Sequence, residues 1–428
     1  MKNFYIKTLG CKTNQIESDL ISEKLESLDF IKVDDVSQSD VFILNSCSVT
    51  STADSDALKL LKKIKKENPD IFTILTGCFA QLEKENLKQY DFIDLVLGNS
   101  EKLNIEKYVD FISGVDVSDI FEQKEFIYKK VETPTKTRAY LKIQDGCNNR
   151  CSYCTIWKAR GQSRSCKLED ILEQIKIYCD HGFQEIVLTG IHIGQWGEDF
   201  APQKSFLEMV ESIENSEIKR FRLGSLNPFE LNNELINFLA QSEKFCPHFH
   251  MSLQSACNKT LKSMNRYYTV EHYLEQIDMI NEKFNLPFIG SDIIVGFPEE
   301  TDEDFETTYE NIKRSGLTMA HVFPYSVRKD TVAANMIQVD KKIKDERAAR
   351  LRALVSDKYV QFINKNINTN QEVIFERRKK PEDGIYKGLT RNYLTVYAYS
   401  DVDIRNQIHN CKIKNIVDNK IIAEVKNN

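Results

Sequence analysis

The chain has 428 residues, with 58 Lys and Arg against 64 Asp and Glu, a net charge of −6, 41% hydrophobic and 29% charged residues. That length exceeds one ordinary core and implies two or three domains; no apolar run reaches the eighteen or so residues of a spanning helix, so a helical membrane protein is excluded and no membrane partner is expected. The acidic balance argues against a protein that simply coats nucleic acid, yet residues 368–428 carry 11 Lys and Arg against 8 Asp and Glu and leave −9 on the remainder, which suits a small basic contact on an acidic catalytic body.

The opening stretch MKNFYIKTLGCK reads as a first strand rather than a signal peptide, which makes a cytoplasmic location the expectation. Residues 1–113 alternate strands and helices. The apolar runs FYIKTL, VFILN and FTILT each suit a buried parallel strand. A helix is predicted over 55–66, with Asp54 as its N-cap. Such alternation implies a parallel sheet covered on both faces. Each of the three strands ends in a cysteine, at Cys11, Cys47 and Cys78. Ligands in parallel α/β sheets bind beyond the carboxyl ends of strands, so the three thiols would meet on one sheet edge. The alternative is three buried packing cysteines.

The middle segment, 133–366, alternates again. RAYLKIQ, EIVLTG, RFRLGS, HFHMSLQ, FIGSDIIVGF and MAHVFPY are strand-like, with helices predicted over 168–178, 230–241 and 270–283 and a charged helix over 341–365 leading out. Six strand–helix units predict an open or partial parallel (β/α)6 barrel with its chemistry at the carboxyl ends of the strands. The last segment, 368–428, holds five short β-rich runs between turn residues and predicts a small antiparallel β-barrel of a kind that often binds nucleic acid. The fold class is therefore α/β, with a third, all-β unit.

Eleven cysteines are too few for a disulfide scaffold in this length; in a reducing compartment spaced cysteines are metal ligands or catalytic thiols. The strongest signal is GCNNRCSYC, with Cys147, Cys151 and Cys154 in a loop after the first strand of the middle segment. Zinc sites need a second pair of ligands, and none accompanies this loop. Three thiolates suit a 4Fe–4S cluster with one iron left open. Cys166, Cys179, Cys246, Cys257 and Cys411 have no partner spacing and read as packing residues.

C-x3-C-x2-C ahead of six strand–helix units resembles the radical S-adenosylmethionine (SAM) superfamily. TLGCKTNQIESD, Cys47, Cys78, GCNNRCSYC followed by ARGQSRS, LTGIHIG, SLQSACNKTLKSMNR, SDIIVGFPEETDEDF and HVFPYS together resemble its methylthiotransferases over essentially the whole chain. The resemblance implies an N-terminal methylthiotransferase domain (1–113), a radical SAM domain (133–366) and a C-terminal RNA-binding TRAM domain (368–428). It implies two 4Fe–4S clusters, an auxiliary one on Cys11, Cys47 and Cys78 and a SAM-binding one on Cys147, Cys151 and Cys154. Tyr153 would lie near the SAM adenine, Gly190 near its amino group, Ser225 and Gln254 at strand ends facing the mouth, and Gly296 close to the adenine; each also has a reading as a turn or packing residue. No catalytic acid or base is assigned. Trp157 and Lys158 depart from the family's usual Pro and aromatic residue, and Ala256 from a usual Gly.

Within the family, TLGCKTNQ and LTGIHIG resemble the branch that converts N6-threonylcarbamoyladenosine at tRNA position 37 to its 2-methylthio derivative. Adenine carbon 2 is not acidic, so a carbon radical suits its activation, with one SAM methylating the sulfur and a second generating the radical. The partners implied are that tRNA and an electron donor such as flavodoxin or ferredoxin. Competing readings are a methylthiotransferase for isopentenyladenosine tRNA or for a ribosomal protein, and a non-catalytic metal-containing RNA-binding protein. Arg160 and Arg164 suit either a phosphate contact or a solvated loop face. His192 and His250 read as hydrogen-bonded structural residues. In the tail, the basic run Arg377, Arg378, Lys379 and Lys380 with Tyr393, Tyr397 and Tyr399 suits an unstacked RNA loop, or else a charged turn over core tyrosines.

Overall fold

The computed structural model describes residues 2–377, 381 and 383–426. In chain order the first unit runs β1 (Asn3–Thr8), α1 (Lys12–Glu26), β2 (Ile31–Lys32), β3 (Val41–Ser46), α2 (Ser51–Glu67), β4 (Phe72–Gly77), α3 (Cys78–Leu87), β5 (Leu95–Leu97) and β6 (Gly114–Asp116). The six strands form one parallel sheet in the order β2-β1-β3-β4-β5-β6. The three apolar runs are its central strands, and β3 is buried along its whole length, as a parallel strand covered on both faces must be. The sheet extends past the boundary expected at 113, because β6 pairs with β5. Helix α2 begins at Ser51, not Ser55: the Thr50 hydroxyl caps it by accepting from the Ala53 N–H. Asp54 lies inside the first turn and pairs with Arg328 of the middle unit at 2.7 Å.

The middle unit runs β7 (Ala139–Lys142), β8 (Gln144–Asp145), α4 (Ile156–Arg160), β9 (Arg164–Ser165), α5 (Leu168–Asp180), β10 (Glu185–Thr189), α6 (Phe206–Glu214), β11 (Arg220–Arg222), β12 (Ser225–Leu226), α7 (Asn233–Gln241), β13 (His248–Gln254), α8 (Asn258–Ser263), α9 (Val270–Lys283), β14 (Phe288–Val295), α10 (Asp302–Arg314), β15 (Met319–Pro324) and α11 (Lys341–Asn366). All six expected strands form, but the third is broken at Leu223–Gly224. The wall is therefore two parallel sheets, β11-β10-β7 and β12-β13-β14-β15, joined at a Phe221–Phe245 bridge. Gly224 at the break permits a close approach to the neighbouring strand, since a Cβ there would stand 2.8 Å from the Leu188 carbonyl oxygen.

The tail forms β16 (Asn370–Phe375), β17 (Ile385–Thr390), β18 (Thr395–Tyr399), β19 (Ile408–Val417) and β20 (Lys420–Val425), closed in the order β16-β17-β18-β20-β19. The barrel departs from the expected antiparallel pairing at one seam, where β18 and β20 run parallel to complete the closure. Its β17–β18 turn plugs the floor of the middle unit. Arg220 and Arg222, both fully buried and held by Glu185, donate to the Leu389, Thr390 and Arg391 carbonyls. Tyr393 stacks on His248 with ring centroids 3.8 Å apart. Tyr393 is thus a docking residue in a turn rather than an RNA-facing strand residue. Tyr397 lies under Lys420, and Tyr399 is 64% exposed. Arg377 lies over Phe183, and Arg378, Lys379 and Lys380 fall outside the described residues. Among the described residues, no helix is long and apolar enough to cross a membrane.

Candidate functional site

Cys11 caps α1 just beyond β1, Cys47 follows β3, and Cys78 opens α3 directly after β4. Strand ends in a parallel sheet lie on one edge, and here glycines remove the last steric obstacle. Gly10 turns at φ +92°, and a Cβ there would lie 2.6 Å from the Cys47 sulfur; Gly77 turns at φ +98° against the Ser46 backbone. Burial and then the neighbouring Cys78 and Cys11 thiols push the Cys47 thiol up to about 11. The three cysteines therefore lie at neighbouring strand ends on one edge of the sheet.

Cys147, Cys151 and Cys154 lie in the loop between β8 and α4. Each sulfur has a nitrogen neighbour: His192 Nδ1 at 3.8 Å from Cys147, Arg266 Nη1 at 3.4 Å from Cys151, and the Ile156 N–H at 3.4 Å from Cys154. Burial, then Cys151 and Cys147, push the Cys154 thiol up to about 12. Burial alone would lower the His192 pKa, but its hydrogen bonds to Cys147 and Glu230 raise it to about 10. The ring therefore stands between the Cys147 sulfur and the Glu230 carboxylate.

Two cavities adjoin at Ser225, one against the loop cysteines and one reaching Cys11. One of about 200 Å³ is lined by the three loop cysteines, Tyr153, His192, Ser225, Gln254 and Arg266. The other, of about 760 Å³, occupies the barrel lumen from Cys11 and Lys12 past Gly190, Ser225, His250, Asp292 and His321 to His248 and Tyr393 at the floor. Ser225 lines both, and its hydroxyl lies 2.8 Å from His250 Nδ1. Gln254 has φ +69°, a strained backbone at a β13 register shift, which aims the strand end into the smaller cavity. Gly296 lines neither cavity: its N–H donates to Glu300, and a Cβ there would run into Lys344. The next residue, Phe297, packs edge-on against Tyr153.

Arg160 corrects both sequence readings. It is fully buried, with Nη2 donating to Glu17 at 3.0 Å and Nε to the Cys78 sulfur at 3.4 Å. Burial alone would raise the Glu17 carboxyl, but Arg160, Lys102 and Lys142 hold it well below the usual carboxylate range. Helix α4, which follows the loop cysteines, is thereby tied to the strand-end cysteines. Arg164 is also buried and donates to the Arg160, Gln162 and Gln123 carbonyls. Trp157 carries the Arg150 guanidinium 4.2 Å above its ring. Arg266 escaped sequence reasoning because its partners Cys151 and Asn227 are distant in the chain, and Lys12 because only the folded barrel places it in the lumen. The five other cysteines sit apart from both sets, Cys411 in the tail core and Cys257 beside Asp304 among them.

The donor chemistry fits iron–sulfur clusters. Each set brings three cysteines to one place in the fold, and nitrogen neighbours stand beside Cys78 and all three loop sulfurs, the hydrogen bonding that iron-bound thiolates receive. Three cysteines per set leave one iron of a four-iron cluster without a protein thiolate.

The Radical SAM superfamily model matches residues 141–312, and the model of uncharacterized protein family UPF0004 matches residues 3–98. The threonylcarbamoyladenosine tRNA methylthiotransferase MtaB of Bacillus subtilis is 34% identical, over 95% of this chain and 92% of its own. The MtaB of Aquifex aeolicus is 37% identical, over 84% and 89%. The tRNA-2-methylthio-N(6)-dimethylallyladenosine synthase of Carboxydothermus hydrogenoformans is 32% identical, over 96% of each chain. Among solved structures, the radical SAM methyltransferase TsrM of Kitasatospora setae shares the fold at TM-score 0.58 and 13% identity, covering 78% of this chain and 77% of its own. Matched along nearly its whole length by such enzymes at 32–37% identity, the chain belongs to the radical SAM tRNA methylthiotransferases.

Proposed function

We propose that the chain places a methylthio group on carbon 2 of N6-threonylcarbamoyladenosine at position 37 of tRNA. The observation that carries this reading is that the cavity over the three loop cysteines and the lumen cavity bordered by Cys11 share Ser225. The full-length similarity to enzymes named for this substrate supports the branch. In this reading Cys11, Cys47 and Cys78 hold the auxiliary cluster, and Cys147, Cys151 and Cys154 hold the cluster that takes SAM. Tyr153, Gly190, Ser225 and Gln254 shape the SAM site, with Gly296 supporting it from behind Phe297.

When bound, the clusters and SAM supply one-electron chemistry for the unreactive adenine carbon and the sulfur to be transferred. The protein's own work is positioning. Arg160, Arg266 and His192 donate to cysteine sulfurs and hold each set in place. The Glu17–Arg160–Lys102–Lys142 cluster locks the strand-end set against the loop set. Tyr393 and the arginines around it close the lumen from below, which keeps bulk water from the reacting base. The tail barrel serves as a TRAM-type RNA-binding unit, a flavodoxin or ferredoxin type protein supplies electrons, and the enzyme works in the cytoplasm on its tRNA.

Mass spectrometry of tRNA nucleosides from a strain lacking the gene tests the reading. Loss of 2-methylthio-N6-threonylcarbamoyladenosine, with the dimethylallyl derivative retained, is expected. The reverse pattern overturns it.

A further inference from the structure

The lumen contains a cation without an anion. Lys12 follows Cys11 in the first turn of α1, and it lines the large cavity. Tyr393 and His248 border the same cavity at its floor. The carboxylates within reach are engaged elsewhere. Glu185 holds Arg220 at 2.6 Å and Arg222 at 2.8 Å, and Asp292 faces His250 at 3.5 Å. Among the described residues, no carboxylate lies within ion-pair distance of Lys12. A desolvated charge with no partner is costly, and a fold retains one where a ligand provides the counter-charge.

The cavity around it suits a polar, branched substituent. Ser225, His250, Asp292 and His321 supply donors and acceptors on one wall, and their ring and carboxylate atoms form a tight group. A volume of about 760 Å³ admits a side group as well as part of a base. A threonylcarbamoyl group carries a carboxylate, a hydroxyl and two ureido N–H groups. A dimethylallyl group carries none of these.

Resting on the substrate reading above, we propose that Lys12 is the specificity-determining residue that pairs with the carboxylate of the N6 substituent. Ser225, His250, Asp292 and His321 take its hydroxyl and ureido groups. The neutral alkyl substituent is refused because it leaves the ammonium and these polar atoms unpaired, a penalty that discriminates more sharply than any apolar pocket could.

The test uses the holoenzyme and anticodon stem-loops carrying threonylcarbamoyladenosine, its threoninamide analogue or unmodified adenosine, with binding read by fluorescence anisotropy in the absence of SAM. The wild type should bind the acid at least about tenfold more tightly than the amide, which corresponds to about 1.4 kcal/mol. Lys12→Gln should abolish that preference and bind both as the wild type binds the amide, and Lys12→Arg should restore most of it. Iron content and electron paramagnetic resonance spectra of each variant show whether the neighbouring Cys11 is disturbed. The acid–amide comparison on the wild type needs no variant. Binding of acid and amide within about twofold by the wild type overturns the proposal, as does a preference that survives Lys12→Gln with the iron intact. Failure of the wild type to methylthiolate threonylcarbamoyladenosine would instead overturn the substrate reading, so the two failures are distinct.

Discussion

Glu185→Gln tests whether the floor of the barrel is held by one buried carboxylate. Glu185 is fully buried and accepts from Arg220 Nε and Arg222 Nε, and those arginines in turn hold the tail barrel's turn. Burial alone would raise its carboxyl, but Arg222, Arg220 and Arg138 bring it down to about 2 from an ordinary 4.5. A folded-state pKa below the unfolded one contributes stability that is complete above the unfolded value and lost as pH falls towards the folded value. The shift corresponds to about 3 kcal/mol at neutral pH, of which about 0.8 kcal/mol is lost by pH 4 and about 2 kcal/mol by pH 3. The assay is urea unfolding of the iron-free chain, followed by fluorescence of the buried Trp196. Glu185→Gln should lose about 3 kcal/mol at pH 7 and show that much less sensitivity to acid. A variant within about 0.5 kcal/mol of the wild type, or one with the same acid slope, would refute the reasoning.

Cys151→Ala should abolish cleavage of SAM to 5′-deoxyadenosine, read by chromatography, while Cys47→Ala should retain some cleavage and make no methylthiolated nucleoside. Arg160→Met removes the donor to Cys78 and one of the three cations on Glu17; it should cost about 3 kcal/mol and alter the auxiliary cluster's paramagnetic resonance signal. Arg160→Lys should not rescue that signal, because an ammonium lacks the fork that reaches Glu17, Asn14 and Cys78 together. Tyr393→Ala should cost about 3 kcal/mol by emptying the stack on His248, and limited proteolysis should then cut sooner after α11.

Much of the architecture is legible along the chain because it rests on short-range periodicity. The strand runs, the helix over 270–283 and the five tail strands follow from apolar spacing and turn residues, and all form. The cysteine sets are legible for a different reason: three sit at equivalent strand ends and three in one short loop, so topology alone brings each set together. The departures begin where a partner is distant. Thr50, not Asp54, caps α2, since Arg328 claims Asp54 from 274 positions away in sequence. Arg160 looked like a loop cation, but its partners Cys78 and Glu17 lie 82 and 143 residues away, and the Glu17 carboxylate draws it into the interior. Tyr393 looked like an RNA-stacking residue until the tail barrel docked it on His248. The break in the third barrel strand and the parallel β18–β20 pair are likewise consequences of closure, which no local pattern encodes. By itself the sequence determined which cysteines fall into two sets of three and in which order the units are strung. Only the tertiary structure decided which charges are buried against the sulfurs and which one stands unpaired in the lumen, because burial and pairing are properties of residues that meet in space and not along the chain.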